Sequence, residues 1–235
     1  MQWAQAATIP STMPNLPDLP ATEAAIIAMT NAFRQENRLG PVRSNPALAA
    51  AARAFARYLA TSGTFAHEAD GREPYQRAEA QGYRYCLVAE NLALNLDSRG
   101  FTATALAREV VDGWKNSQSH RENLLQKSAS EVGVAVVAAP DRDAKFVSVQ
   151  MLAQPESAKA RFTIENRSGV AVHATMGSDS STLAPHSLTT YETCDLSELR
   201  LRVGTRITHL QPRAGDAVVI EAAANGAIRI ERSPR

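Results

Sequence analysis

A chain of 235 residues, 44% hydrophobic and 21% charged, has enough apolar material for one large core or two modest ones. Lys+Arg number 25 against 24 Asp+Glu, a formal charge of +1, and the split is even: 15 basic and 16 acidic residues up to Ala158, then 10 and 8. This balance excludes a basic footprint for nucleic acid, and no apolar run nears the ~20 residues of a membrane span.

At the amino terminus, Ala4-Gln5-Ala6 is a small-x-small pattern of the kind that precedes a signal-peptidase cut, with no charged or apolar region before it. Pro10, Pro14, Pro17 and Pro20 favour extended backbone, so residues 1–20 read as a disordered Pro-rich tether. Thr22-Glu23 then opens a helix with Ile26, Ile27, Met29 or Thr30, and Phe33 at helical spacing, ended by Leu39-Gly40-Pro41. Asn45-Pro46 caps a second helix whose stripe is Leu48, Ala51, Ala52, Phe55, Tyr58 and Leu59, with Gly63 as its stop. A short third helix covers Pro74 to Gln81. A fourth runs from Thr102 to Asn116, with Leu106, Val110, Val111 and Trp114 inward. Two β-rich runs, Val132–Val137 and Phe146–Leu152, flank the polar loop Ala139–Asp143 and read as an antiparallel pair.

Beyond Pro155 the helical period disappears. Seven β-prone runs follow: Phe162–Ile164, Val170–Thr175, Leu188–Tyr191, Leu199–Val203, Ile207–Leu210, Ala217–Glu221 and Ala227–Ile230. Turn signals separate them, Asn225-Gly226 being the strongest, and the pattern predicts a small all-β sandwich over residues 157–235. Cys86 and Cys194 make no disulfide framework; they are either separate thiols or one long-range bridge.

The polar constellation that stands out is His67, Glu90 and His120. Two imidazoles and a carboxylate suit a divalent ion such as zinc, or an acid and a base around a groove. On the residues alone, three separate structural hydrogen-bonding roles are the stronger account, because positions this far apart meet only if the fold brings them together. Ser117 and His120 lack the sharp strand-to-helix turn of a serine nucleophile, so Ser117 reads as a helix-end cap. Trp114 and Tyr75 read as core residues, Asp70 as the cap of the Asp70-Gly71 turn, and Glu122 as a side chain pointing away from His120. His173, His186 and His209 have no metal-like spacing, and Arg200, Arg202 and Arg206 read as the wet side of strands.

Several blocks carry a resemblance. Phe65–Arg77 with Gln81–Tyr85, Ala89-Glu90-Asn91-Leu92-Ala93, Val111–Ser117 running into His120-Arg121-Glu122-Asn123-Leu124-Leu125, and Glu131-Val132-Gly133-Val134 stand in one order. Together with Asn31-x-x-Arg34 and Leu48-x-x-x-Ala52, they resemble the bacterial, SCP-like branch of the CAP superfamily, the cysteine-rich secretory and pathogenesis-related proteins. The resemblance implies an α+β chain: an α-β-α sandwich over residues 21–156, here followed by the β-sandwich. It also implies that His67, Glu90 and His120 line a cleft beside Ser117, where many relatives have a further acidic residue. A metal would then rest on His67 and His120, with Glu90 as a ligand or an outer-shell orienter. The expected function is a secreted or periplasmic protein that binds a lipid, glycan or protein ligand. Its partners would be small-molecule or envelope ligands, with a possible protein partner for the C-terminal domain and no nucleic acid. The rival is a metal-dependent, peptidase-like hydrolase in which Glu90 acts as base. A Cys86–Cys194 bridge would fit the oxidising compartment.

Overall fold

The computed structural model describes residues 16–140, 144–194, 196–222 and 228–234. The Ala4-Gln5-Ala6 pattern, the tether as far as residue 15, Asp141–Asp143 and the Asn225-Gly226 turn lie outside them. The chain divides into two compact units between Pro155 and Glu156.

In the first unit, α1 spans Leu19–Glu36 and starts three residues ahead of the expected Thr22. Asp18 is the actual cap, its carboxylate accepting from the Ala21 N–H at 2.8 Å, and Pro20 sits in the first turn, where a missing N–H costs nothing. The end of the expected tether is therefore helix, and Thr22 is fully buried. β1 (Arg43–Ser44) leads into α2 (Pro46–Ser62), where the Asn45 side chain accepts from the N–H groups of Ala47 and Leu48. Leu48, Ala51, Ala52, Phe55, Ala56 and Leu59 form the buried stripe of α2; Tyr58, expected among them, is 41% exposed. Next come α3 (Pro74–Ala80), β2 (Tyr85–Asp97), α4 (Ala103–Asn116), α5 (Gln118–Leu124), β3 (Glu131–Ala138) and β4 (Ala144–Pro155).

The sheet order is β1-β3-β4-β2, with β3/β4 and β4/β2 antiparallel and β1/β3 parallel. Side chains alternate between its faces. One layer packs α2 against Ala135, Val147, Val149, Met151 and Ala153. The other packs Ile26 of α1 and Leu106, Val110, Val111 and Trp114 of α4 against Val132, Val134, Val136 and Leu152. The result is the expected α-β-α sandwich. Small residues set its spacing: a Cβ on Gly133 of β3 would meet the backbone of Leu48 and Ala49 at 2.2–2.5 Å. Buried Arg34 donates to the carbonyls of Gly40, Leu124, Gln126 and Ala129, fastening the segment after α5 onto α1.

In the second unit the strands are β5 (Ala160–Asn166), β6 (Val172–Met176), β7 (Asp179–Leu183), β8 (Ser187–Thr193), β9 (Leu199–Val203), β10 (Arg206–Leu210), β11 (Asp216–Ala222) and β12 (Ile228–Pro234). β7, the polar run Asp-Ser-Ser-Thr-Leu, has no β-prone signature and is the strand of this unit that the sequence pattern misses. Two four-stranded sheets, β10-β9-β6-β7 and β12-β11-β5-β8, share one core. Phe162, Ile164, Val218 and Ile220 from one sheet meet Val172, Ala174, Leu199 and Leu201 from the other, as a sandwich requires. Phe162 stacks on Tyr191 with ring centroids 5.0 Å apart.

Candidate functional site

The site is built around Glu90 and Asn91, neighbours on the edge strand β2. In a strand they point to opposite faces. Glu90 lies on the side of α2 and α3, its side chain 1% exposed. Arg77 of α3, itself 4% exposed, donates through Nη2 to both Glu90 oxygens, at 3.0 and 2.9 Å. The same Nη2 donates to the His67 backbone carbonyl at 2.9 Å, while Nη1 donates to Asp70 Oδ1 and the Arg72 carbonyl. The Phe55 ring lies 3.6 Å below the guanidinium carbon. So one buried cation joins the loop carrying His67, the start of α3 and β2.

His67 Nδ1 is 2.9 Å from Glu90 Oε1. That hydrogen bond is the chief reason the His67 pKa is raised above its ordinary value; burial and the Arg77 charge work against it. On the opposite side of β2, Asn91 donates to the His120 carbonyl at 3.3 Å and to Gln150 Oε1 at 3.1 Å. Asn123 completes the link by donating to the Glu90 carbonyl at 3.0 Å and to Asn91 Oδ1 at 2.9 Å. The two imidazole rings are thereby brought to 6.5 Å between centroids, tilted by 54°. Burial first, and then the neighbouring His67, push the His120 pKa down. Two imidazoles of opposite tendency stand side by side: one favours a proton, the other sheds it.

The remaining sequence candidates are placed as follows. Ser117 is the residue between α4 and α5, and its Oγ lies 3.5 Å from Ser119 Oγ. Glu122 is exposed and accepts from Gln118. Asp70 accepts from the Arg72 N–H, as the turn reading expected, and also holds Arg77. Trp114 is in the core, its indole N–H donating to the Leu92 carbonyl. Tyr75, expected in the core, is 39% exposed with its ring 5.6 Å from that of Tyr85, because α3 is a single short turn-pair lying on β2. Cys86 and Cys194 are both disulfide-bonded, and no described cysteine is free. Sequence reasoning passed over Asn91, Asn123 and, most consequentially, Arg77. Its signal was a run dense in turn residues and charge, Asp70-Gly71-Arg72-Glu73-Pro74, leading straight into an arginine-bearing helix.

As a zinc centre the set is short. A tetrahedral ion bound by two imidazoles at about 2.0–2.1 Å holds the ring centroids roughly 5 Å apart, so the 6.5 Å gap would have to close by more than an ångström for the two to share one. Among the described residues, no group of three or more His, Cys, Asp or Glu side chains is placed to hold a metal. An open cavity of about 340 Å³ between α2 and α3 is lined by Arg77, Phe55, Tyr58 and Asp70 but by neither imidazole.

A three-layer α-β-α sandwich with two histidines and a glutamate gathered at its edge strand defines a class, that of the CAP domains. The profile described as "CAP: Cysteine-rich secretory protein family" matches residues 27–152, and the chain belongs to that family. It is 29% identical to YkwD of Bacillus subtilis over 118 residues, which is 50% of this chain and 43% of YkwD. The chain thus spans less than half the length of that relative. Among solved structures it is similar to an outer surface protein of Borrelia burgdorferi at 21% identity and a TM-score of 0.50, covering 61% of this chain and 99% of that one. An extracellular SCP-domain protein of Bacillus anthracis aligns at 21% identity and a TM-score of 0.49, over 61% of this chain and 45% of the other. No helix among the described residues is long and apolar enough to cross a membrane.

Proposed function

We propose that the chain is a secreted or periplasmic binding protein that holds a polar group of a lipid, glycan or protein ligand in a groove between His67 and His120. The observation carrying this reading is the pair of rings 6.5 Å apart, one of them fixed through Nδ1 to a buried glutamate. With Nδ1 engaged, His67 has Nε2 left for a ligand, and its 49% exposed side chain is open to one. Glu90 suits the role of orienter better than that of base. A general base must be free to take a proton, whereas both Glu90 oxygens already accept from Arg77 and one of them also faces His67. A divalent ion, zinc first, is a candidate guest of the two imidazoles. Two imidazoles are one protein ligand fewer than the three that usually hold a catalytic zinc, which favours binding over hydrolysis. The disulfide-bonded cysteines support an oxidising, extracytoplasmic setting.

The test incubates full-length protein with a bacterial envelope extract and reads bound species by native mass spectrometry, with a calorimetric zinc titration beside it. A bound species that is lost in the His67→Ala/His120→Ala double variant supports the proposal. The same species bound equally by that variant refutes it. Zinc affinity that survives both substitutions removes the imidazoles as its ligands.

A further inference from the structure

The two sheets of the second unit handle their arginines in opposite ways. In β12-β11-β5-β8 the arginines are neutralised: Arg161 pairs with Glu192, Arg229 with Glu231, and Arg232 lies 3.7 Å from Asp216. Arg167, just past β5, reaches Glu165 at 2.8 Å and Glu221 at 2.9 Å. The strands of β10-β9-β6-β7 contain one carboxylate, Asp179, at the outer end of β7 opposite Met176.

The alternation Leu199-Arg200-Leu201-Arg202 puts both leucines in the core and both arginines outside. Register builds the outer face around them. Arg200 stands between Thr175 and His209, and Arg202 between His173 and Ile207. Ser180 lies across from Thr175 and Thr182 from His173, with Thr182 Oγ1 3.0 Å from His173 Nδ1. Arg206 faces Val203 and so falls, by register, on the other side of the sheet from Arg200 and Arg202, where it is nonetheless exposed. Neither Arg200 nor Arg202 has an ion-pair partner among the described residues; Glu198, the nearest acid in sequence, pairs with His209 at 3.1 Å.

We propose that this face binds an acidic polysaccharide through its carboxylates, with Arg200 and Arg202 as the anchoring cations. Charge complementarity selects an anion, because two guanidinium forks without internal partners match planar carboxylates. The two arginines are about 7 Å apart along the strand, and neighbouring strands about 4.8 Å apart, so the face presents a row of donors to an extended polymer. Hydroxyls and imidazoles on both sides of the arginines suit sugar hydroxyls. Two competing anions fit poorly. A membrane surface rewards inserted apolar groups, and this face exposes Ile207 alone among large hydrophobics. Single-stranded nucleic acid rewards aromatic stacking, and these four strands contain no aromatic residue.

The test uses the full chain and polygalacturonate as the probe, with calorimetry in about 50 mM and about 500 mM salt and neutral dextran as control. Wild type binds polygalacturonate, weakens at the higher salt and ignores dextran. Arg200→Ala/Arg202→Ala binds at least about tenfold more weakly, and Arg200→Lys/Arg202→Lys recovers part of the loss. Arg229→Ala, which removes a paired arginine, stays within about twofold, as does His67→Ala/His120→Ala, so this result stands apart from that of the groove. Unchanged far-ultraviolet dichroism certifies the variants. No binding by wild type at low salt, equal binding by the double alanine variant, or tighter binding to phosphatidylglycerol vesicles or single-stranded RNA would overturn the proposal.

Discussion

Replacing Arg77 with methionine keeps most of the side-chain volume and removes the charge. Glu90, with its side chain 1% exposed, is then left with only His67, and Asp70 and the His67 and Arg72 carbonyls each lose a donor. Removing one member of a buried pair costs about 3–5 kcal/mol. At about 2–4 °C per kcal/mol for a chain of this size, the first unit should melt roughly 6–20 °C lower. Adding Glu90→Gln to Arg77→Met removes the stranded charge and should recover about 1–3 kcal/mol relative to the single variant, a coupling that urea unfolding measures directly. Proton titration by NMR gives an independent reading. His67 titrates above its ordinary 6.5 because of Glu90, and Arg77 holds that rise in check. Arg77→Met should therefore move His67 further up, and Glu90→Gln should move it down. The sign for stability follows: the His67–Glu90 pair contributes fully below the unfolded histidine's pKa, and the contribution fades as pH climbs through the folded value. A cost below about 1 kcal/mol for Arg77→Met, or a His67 titration that ignores both substitutions, refutes the assignment of Arg77 as the group that positions this site.

Three other outcomes follow from the same structure. His120 should titrate below 6.5 by NMR and move up in His67→Ala, which removes its charged neighbour. Gly133→Ala should cost about 3 kcal/mol or more in urea unfolding, since its Cβ would meet backbone of α2 at 2.2–2.5 Å and backbone cannot rotate aside. Arg34→Met should cost at least about 3 kcal/mol by leaving four carbonyls without their donor, and Arg34→Lys should rescue little, because an ammonium cannot span the arc that a guanidinium does.

Much of the fold is legible where apolar periodicity is clean. The α2 and α4 stripes, the β3/β4 pair and most strands of the second unit follow from it. The failures have local causes. β2 is unreadable as a strand because Glu90 and Asn91, both buried, interrupt its apolar run at the site itself. α1 starts early because an aspartate cap and a proline in the first turn resemble a linker when read from the left. β7 is a polar edge whose only core residue is Leu183. As for the site, residue types nominated His67, Glu90 and His120, and family likeness brought them together. Neither pointed to Arg77, Asn91 or Asn123, whose work is done on oxygens of other residues rather than on a ligand. A buried arginine on a short helix looks, in one dimension, like any solvated charge.

The grip on the two histidines has a consequence for how such a domain can diversify. Arg77 and Asn91 hold residues 67 and 120 by their main-chain oxygens, features that every amino acid carries. Exchanging either ring for another side chain leaves those tethers in place, so the chemistry on display can drift while its mounting stays fixed. Substitutions at Arg77 or Asn91 have no such latitude, and a lineage that retools this site should change the imidazoles first and the residues beneath them last.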